Sequence, residues 1–348
     1  MFDGQPGRTA TANGKEYLFF SGYAYLGMHQ CEPFMQLVQQ GTEKFGWSFP
    51  SSRISNTRLK LFDEFEQRLS HLTSFKETIA VSNGYTAGRM AVQLFSHKAN
   101  FLVAPNAHPA VSEGLPKYKG SFENWKRFIV TSLNETDTYT SPVIIADSVI
   151  PLTGEVNDLS FLQYIERKCV CIVDDSHGIG LIGKNGSGIA TLLPKNPNID
   201  YLLVYSLSKA FNLNGGAIST NNISFADRLR NLPVYTGATS MNPALMFAFN
   251  EAEELYEQQR NRLTENIRYF ERLTGNKKFF SHPSPELPIF ILSAELDENQ
   301  LAEQGIIISS FPYPDPNGRK IQRIVINAQH TKTDLNTVAA ALEKLVAR

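Results

Sequence analysis

Cysteine is scarce and odd in number, three in 348 residues. Cys169 and Cys171 share one apolar run, so no disulfide framework is available to organise the fold, and a reducing compartment suits the chain. Excess charge of either sign is also missing. Lys and Arg total 33 against 34 Asp and Glu, a formal net charge of −1, which removes the basic field that nucleic-acid binding needs. No apolar run is long enough to span a bilayer, and Met1-Phe2-Asp3-Gly4-Gln5-Pro6-Gly7 lacks the basic-then-apolar order of a secretory leader. There is no internal repeat and no low-complexity tract. These absences predict a cytoplasmic protein outside the membrane, and a chain of 348 residues predicts two domains and a large core.

What is present centres on Ser206-Leu207-Ser208-Lys209-Ala210-Phe211-Asn212-Leu213-Asn214-Gly215-Gly216. The run before it, Tyr201-Leu202-Leu203-Val204-Tyr205, reads as a strand of a covered sheet that ends in a hydroxyl-rich turn. A lysine held there against apolar neighbours loses hydration, so its free amine is easier to reach and can form a Schiff base with a carbonyl. Taken alone, Lys209 reads more readily as a solvated surface lysine. A second apolar strand, Cys169-Val170-Cys171-Ile172-Val173, runs into Asp174-Asp175-Ser176-His177-Gly178-Ile179-Gly180. Open parallel sheets bind ligands at such carboxyl ends. Asp174 and His177 can therefore face the same molecule as Lys209, giving an amine, a carboxylate suited to a protonated pyridine nitrogen, and an imidazole.

These stretches resemble the α-oxoamine synthase family of pyridoxal 5'-phosphate (PLP) enzymes, on the aspartate aminotransferase scaffold known as fold type I. The resemblance runs from about Ser21 to Arg348 and includes Val173-Asp174-Asp175-Ser176-His177-Gly178 with trailing Gly180, Gly183, Gly186 and Gly188. It implies an α/β fold: a large domain with a mainly parallel seven-stranded sheet over 46–240, a smaller C-terminal α/β domain over 241–348, and an N-terminal arm over 1–45. It implies an enzyme that condenses an amino acid with acyl-CoA or another acyl thioester, with decarboxylation, to an α-amino ketone. Members similar in look are 8-amino-7-oxononanoate synthase, in biotin biosynthesis, and glycine C-acetyltransferase. The alternative on the same scaffold is an aminotransferase.

The resemblance also implies roles. Lys209 would hold the cofactor, Asp174 its ring nitrogen, His108 would cover the ring, and His177 would hydrogen-bond near the ring hydroxyl. Asn83, Gly84 and Tyr85, in the turn opening a helix after strand Thr78–Ser82, would hold phosphate together with Ser206 and Ser208. Free N–H groups and the positive helix end suit that task. Asp147, ending strand Val143–Ala146, stands where relatives have glutamate and would be a cofactor neighbour. Thr239 would reach the phosphate of a neighbouring subunit, implying a homodimer with shared sites. Arg323 would clamp the substrate carboxylate, a bidentate task that lysine does poorly, with Tyr23 nearby. No metal ligands are assigned. Other readings stay open for single residues: a capping role for His108, help to the Asn242 cap for Thr239, an interdomain ion pair for Arg323.

The chain departs from the family pattern at several places. Relatives read Asn-Asp-Tyr-Leu-Gly where this chain has Tyr23-Ala24-Tyr25-Leu26-Gly27. A family histidine is Phe62, a glycine is Thr57, and a common serine is Pro151. A helix over Leu159–Ile165, one long charged helix from about Met241, and a loop holding Pro312, Pro314, Pro316 and Gly318 complete the expectations.

Overall fold

Asn13 and Gly14 both take positive φ, 52° and 71°, and make the two-residue turn that an Asn-Gly pair favours between strands. The turn joins β1 (Thr9–Ala12) to β2 (Lys15–Phe20). Along the chain follow β3 (Glu77–Val81), β4 (Asn100–Val103), β5 (Pro142–Asp147) and a short hairpin of β6 (Val149–Ile150) and β7 (Glu155–Val156). Then come β8 (Cys169–Asp174), β9 (Ile199–Ser206), β10 (Gly216–Thr220), β11 (Ile289–Ile291), β12 (Ile306–Pro312) and β13 (Lys320–Val325). The computed structural model describes residues 1–95, 99–135, 141–275, 279–281, 286–312 and 317–346.

The large sheet has six strands among the described residues, in the order β3-β10-β9-β8-β5-β4. β4, β5, β8 and β9 run parallel, and β10 runs against both of its neighbours. Every residue of β5 is buried, as expected of a central strand covered on both faces, which is why Pro142–Asp147 and Cys169–Asp174 read as near-continuous apolar runs. In place of the seventh strand, Lys117 makes an isolated parallel bridge to Val103, and Tyr118 N–H donates to the Val103 carbonyl at 3.0 Å. Helix Leu61–Thr73 buries Leu61, Phe62, Phe65 and Leu69, the face its spacing predicts.

The smaller sheet has the order β1-β2-β12-β13-β11. Residues 1–45, expected as an arm, thus place two strands in the C-terminal sheet, with β2 parallel to β12. Two helices differ from expectation. Leu159–Ile165 is a 3₁₀ turn over Ser160–Tyr164. The long helix is split at Ala252, at φ −104° and ψ 24°, into Pro243–Glu251 and Glu253–Thr274. Pro314 and Pro316 lie outside the described residues. Among the described residues, no helix is long and apolar enough to cross a membrane.

Arg53 ends the serine-rich loop in the core. Its Nη2 meets Glu66 Oε1 at 2.7 Å, and its guanidinium lies 4.2 Å from the Phe62 ring centre. Glu66 also accepts from Ala80 N–H at 3.0 Å. The pair therefore ties the 46–59 loop to β3, and Phe62, fully buried, packs beneath it.

Candidate active site

The carboxyl ends of β5, β8 and β9 carry Asp147, Asp174 and Ser206. A cavity of about 300 Å³ opens over this edge, and its walls include Tyr23, Gly84, Tyr85, His108, Asp174, His177, Ser206, Lys209 and Arg323. Nine of the residues singled out in the sequence are therefore brought to one place.

The floor is set by close packing. A Cβ at Gly84 would lie 2.6 Å from Ser206 Cβ, and one at Gly216 would lie 2.5 Å from Gly84 N. Only glycine lets the first turn of helix Gly84–Gln93 sit against the end of β9. Asn83 caps that helix, accepting from Thr86 N–H at 2.8 Å, so its side chain is already used. Ser206 Oγ and Ser208 Oγ are 2.8 Å apart, a hydroxyl pair beside a helix N-terminus. Tyr85 is exposed and donates its hydroxyl to Glu113. That bond is the main cause holding the Tyr85 phenol above its ordinary range.

Lys209 lies deep in the cavity, and burial lowers its pKa, opposed by the charges of Asp174 and Asp147. The same desolvation keeps His177 neutral, pushing it well below the usual imidazole range, with Lys209, Arg323 and His108 adding to the effect. His177 Nδ1 is 2.8 Å from the Tyr25 hydroxyl. Asp174 accepts from Ser176 N–H at 3.0 Å. Ser176, a cavity residue that sequence reading missed, accepts from Ser206 N–H at 3.0 Å and so laces β8 to β9. The only sequence signal for it was its place between Asp174 and His177.

His108 is a capping residue, its Nδ1 accepting from Ala110 N–H at 3.2 Å, and its ring also reaches the cavity, with Nδ1 3.9 Å from Asp174 Oδ2. Burial lowers its pKa. Asp147 departs from expectation. It does not line the cavity; it is buried beside Asp174 in register and accepts the His108 backbone N–H at 3.1 and 3.2 Å. Burial, then the charge of Asp174, raises it well above the carboxylate range. One short carboxyl under His108 thus holds the loop, where a longer one would reach further. Asp175, raised by burial to about 8, is likewise internal. It takes Ile189 N–H at 2.9 Å, and Cβ atoms at Gly178 and Gly188 would fall 2.1 and 1.8 Å from its oxygens. Those glycines exist to fold the turn over Asp175.

Arg323 comes from β13, opposite Ser309, and closes the cavity from the smaller sheet. Nη1 donates to the Pro151 carbonyl at 3.0 Å and Nη2 to the Tyr23 hydroxyl at 3.1 Å, while buried Nε has no partner among the described residues. The rings of Tyr23 and Phe311 flank the guanidinium at 5.2 and 5.6 Å. Among the described residues Arg323 therefore makes no ion pair. Thr239 and Ser208 are exposed, and neither lines the cavity of its own chain.

The aminotransferase class I and II family model matches residues 23–342. The chain is 26% identical over 351 residues to the 8-amino-7-oxononanoate synthase of Petrotoga mobilis, spanning 96% of this chain and 89% of that one. It is 26% identical over 346 residues to the enzyme of the same name from Vibrio vulnificus, spanning 94% and 88%. Among solved structures, a serine palmitoyltransferase from S. paucimobilis with bound PLP–myriocin aldimine matches at TM-score 0.85 and 20% identity, over 99% of this chain and 91% of that one. An 8-amino-7-oxononanoate synthase from Francisella tularensis matches at TM-score 0.72 and 22% identity, over 94% and 97%. The fold is thus shared along nearly the whole chain.

Proposed function

We propose, from the premise that this chain belongs to the aminotransferase class I and II family, that it is a PLP-dependent transferase joining a small amino acid to an acyl thioester, the reaction that its resemblance to the α-oxoamine synthases implies. The observation that carries this reading is the meeting of Lys209, Asp174, His108 and His177 on one cavity. The residues fit the cofactor: an amine of lowered pKa for its aldehyde, a carboxylate for its ring nitrogen, two imidazoles on the same cavity, and a glycine-walled helix start with two hydroxyls for its phosphate.

PLP, when bound, supplies the electron sink that makes loss of the amino acid's Cα proton accessible. Lys209, whose pKa burial lowers, would take that proton and return one at the end. Overall, a bond forms between Cα and the thioester carbonyl carbon, the thiol leaves with its sulfur, and the amino acid's carboxylate departs as CO2. His177 would donate to the cofactor's ring hydroxyl or to the incoming carbonyl, and His108 would cover the ring. Arg323, whose side chain lines the cavity, would receive the amino acid's carboxylate. Lys209 and Arg323 are the lysine and arginine lining the cavity among the described residues, which favours a monocarboxylic amino acid. Thr239, exposed and away from its own cavity, is assigned to the partner's site in a homodimer.

Arg323→Lys should raise KM for the amino acid by roughly 10- to 100-fold, the value of a charged hydrogen bond, with a smaller change in kcat. Steady-state kinetics at saturating acyl donor would show it, and an unchanged KM would remove Arg323 from the carboxylate site.

The test of the function is thiol release from a panel of acyl-CoAs by the PLP-loaded protein in the presence of small amino acids. Release with one pair identifies the synthase. Conversion of the amino acid to its 2-oxo acid without thiol release identifies an aminotransferase, a reading favoured by Tyr23 on Arg323 and by Phe62 buried where relatives keep a histidine.

A further inference from the structure

We propose that Tyr25 is the positioning residue for His177, its buried hydroxyl fixing the imidazole in the tautomer that carries the proton on Nε2. The inference rests on the PLP reading only for what Nε2 then meets; the tautomer itself follows from the geometry.

Tyr25 is fully buried. Its backbone is clamped at both ends: N–H donates to the Tyr23 carbonyl at 2.7 Å, and the carbonyl accepts from Ala328 N–H at 2.9 Å, just beyond β13. The ring is therefore held from the smaller sheet while its hydroxyl reaches across to His177 Nδ1 at 2.8 Å. This is the hydroxyl's hydrogen bond among the described residues, and two arrangements satisfy the distance. Either the hydroxyl donates to Nδ1, or Nδ1–H donates to the hydroxyl oxygen. The second leaves a buried O–H with no acceptor, whereas the first leaves only spare lone pairs on oxygen, which cost far less. Burial also holds the Tyr25 phenol above its ordinary range and His177 below its own, so the hydroxyl keeps its proton and the ring stays neutral. Nδ1 is then the acceptor, and the one remaining ring proton sits on Nε2.

A neutral imidazole that presents N–H to the cavity can donate to an oxygen and cannot act there as an acceptor. Tyr25 thus decides what kind of group His177 is. It does so through a residue that touches neither the proposed cofactor nor substrate, and whose distance in sequence from His177 is 152 residues. The neighbouring Tyr23 ring, edge-on to His177 at 5.5 Å, limits rotation of the imidazole without bonding to it.

The experiment is nitrogen NMR on protein labelled at histidine, with and without PLP, using His177→Gln to assign the resonance. The expected spectrum has Nε2 as the protonated nitrogen and Nδ1 as the bare one in both states; a protonated Nδ1 overturns the proposal. Tyr25→Phe keeps the ring and its packing. With its thermal midpoint near that of the parent, it should show His177 as an exchanging mixture of tautomers, and kcat about tenfold lower at nearly unchanged KM for the amino acid. A Tyr25→Phe protein that keeps a single Nε2–H tautomer and full kcat also overturns it. Because the tautomer is read without turnover, loss of the synthase reading would leave this result standing, and the reverse.

Discussion

Lys209→Ala should lower kcat by at least about a thousandfold, the upper range of what a positioned acid–base group contributes, because the same residue also anchors the cofactor. The fall should come with loss of the visible absorbance that a lysine-bound cofactor gives and of its fixation to the chain by borohydride. The physical basis is local. Leu207 and Ala210, on either side of the turn, are buried and strip Lys209 of water, while Asp174 offsets part of that desolvation. The outcome is a lysine whose free amine is easier to reach than that of a solvated one. An alanine variant that still binds PLP covalently would assign the bond to another lysine. Lys117 is the alternative to examine first, since its charge already reaches His108 and Asp147; its ammonium is, however, committed to the Ala107 carbonyl at 2.6 Å.

Asp174→Asn should cost about 10²- to 10³-fold in kcat, the size of one well-placed electrostatic contact to a site where charge develops. The substitution is nearly isosteric, and an asparagine oxygen can still accept the Ser176 N–H that Asp174 now accepts at 3.0 Å, so the turn survives. What disappears is the carboxylate that would hold the cofactor's ring nitrogen. Asp147 cannot replace it, because it is buried and its oxygens accept the His108 backbone N–H. The loss should appear in kcat with cofactor affinity little changed, measured by equilibrium dialysis of PLP. An Asp174→Asn enzyme of parental kcat would place the ring nitrogen elsewhere.

Much of this site was legible because its residues follow buried strands. Lys209 after Tyr201–Tyr205, and Asp174 with His177 after Cys169–Val173, are marked by apolar runs that stop abruptly, and a sheet covered on both faces produces such runs wherever it ends. Glycines were legible for the same reason: the turn at Gly84 has no room for a Cβ. What escaped was whatever depends on a partner far along the chain. Tyr25 stood out only as part of the Tyr25-Leu26-Gly27 match to the family pattern, because nothing near it in sequence announces His177. Arg323 was ambiguous between ligand and ion pair until Pro151 and Tyr23 were seen to take its Nη atoms and leave Nε alone. Asp147 was misplaced because a strand-end carboxylate reads the same whether it faces the cavity or the loop behind it. Glu16–Phe20 reads as a strand in the sequence, but residues 1–45 were assigned to an arm because the pairing of β2 with β12 leaves no trace in so short a run.

The pairing of β2 with β12 also bears on how the protein is made. Tyr23 and Arg323 meet across 300 residues, and β2 finds its neighbour in Ile306–Ile308. During synthesis the strands of the large sheet, from Glu77 to Thr220, emerge well before β12 and β13. That sheet can collapse on the ribosome with Lys209 and Asp174 already side by side. The amino-acid end of the pocket cannot exist until the last strands arrive, and until then the hairpin of β1 and β2 waits with an unpaired edge, exposed to other chains. Refolding from denaturant should therefore show cofactor-site signals ahead of those from Tyr23, and the late step should be the one that crowding and concentration disturb.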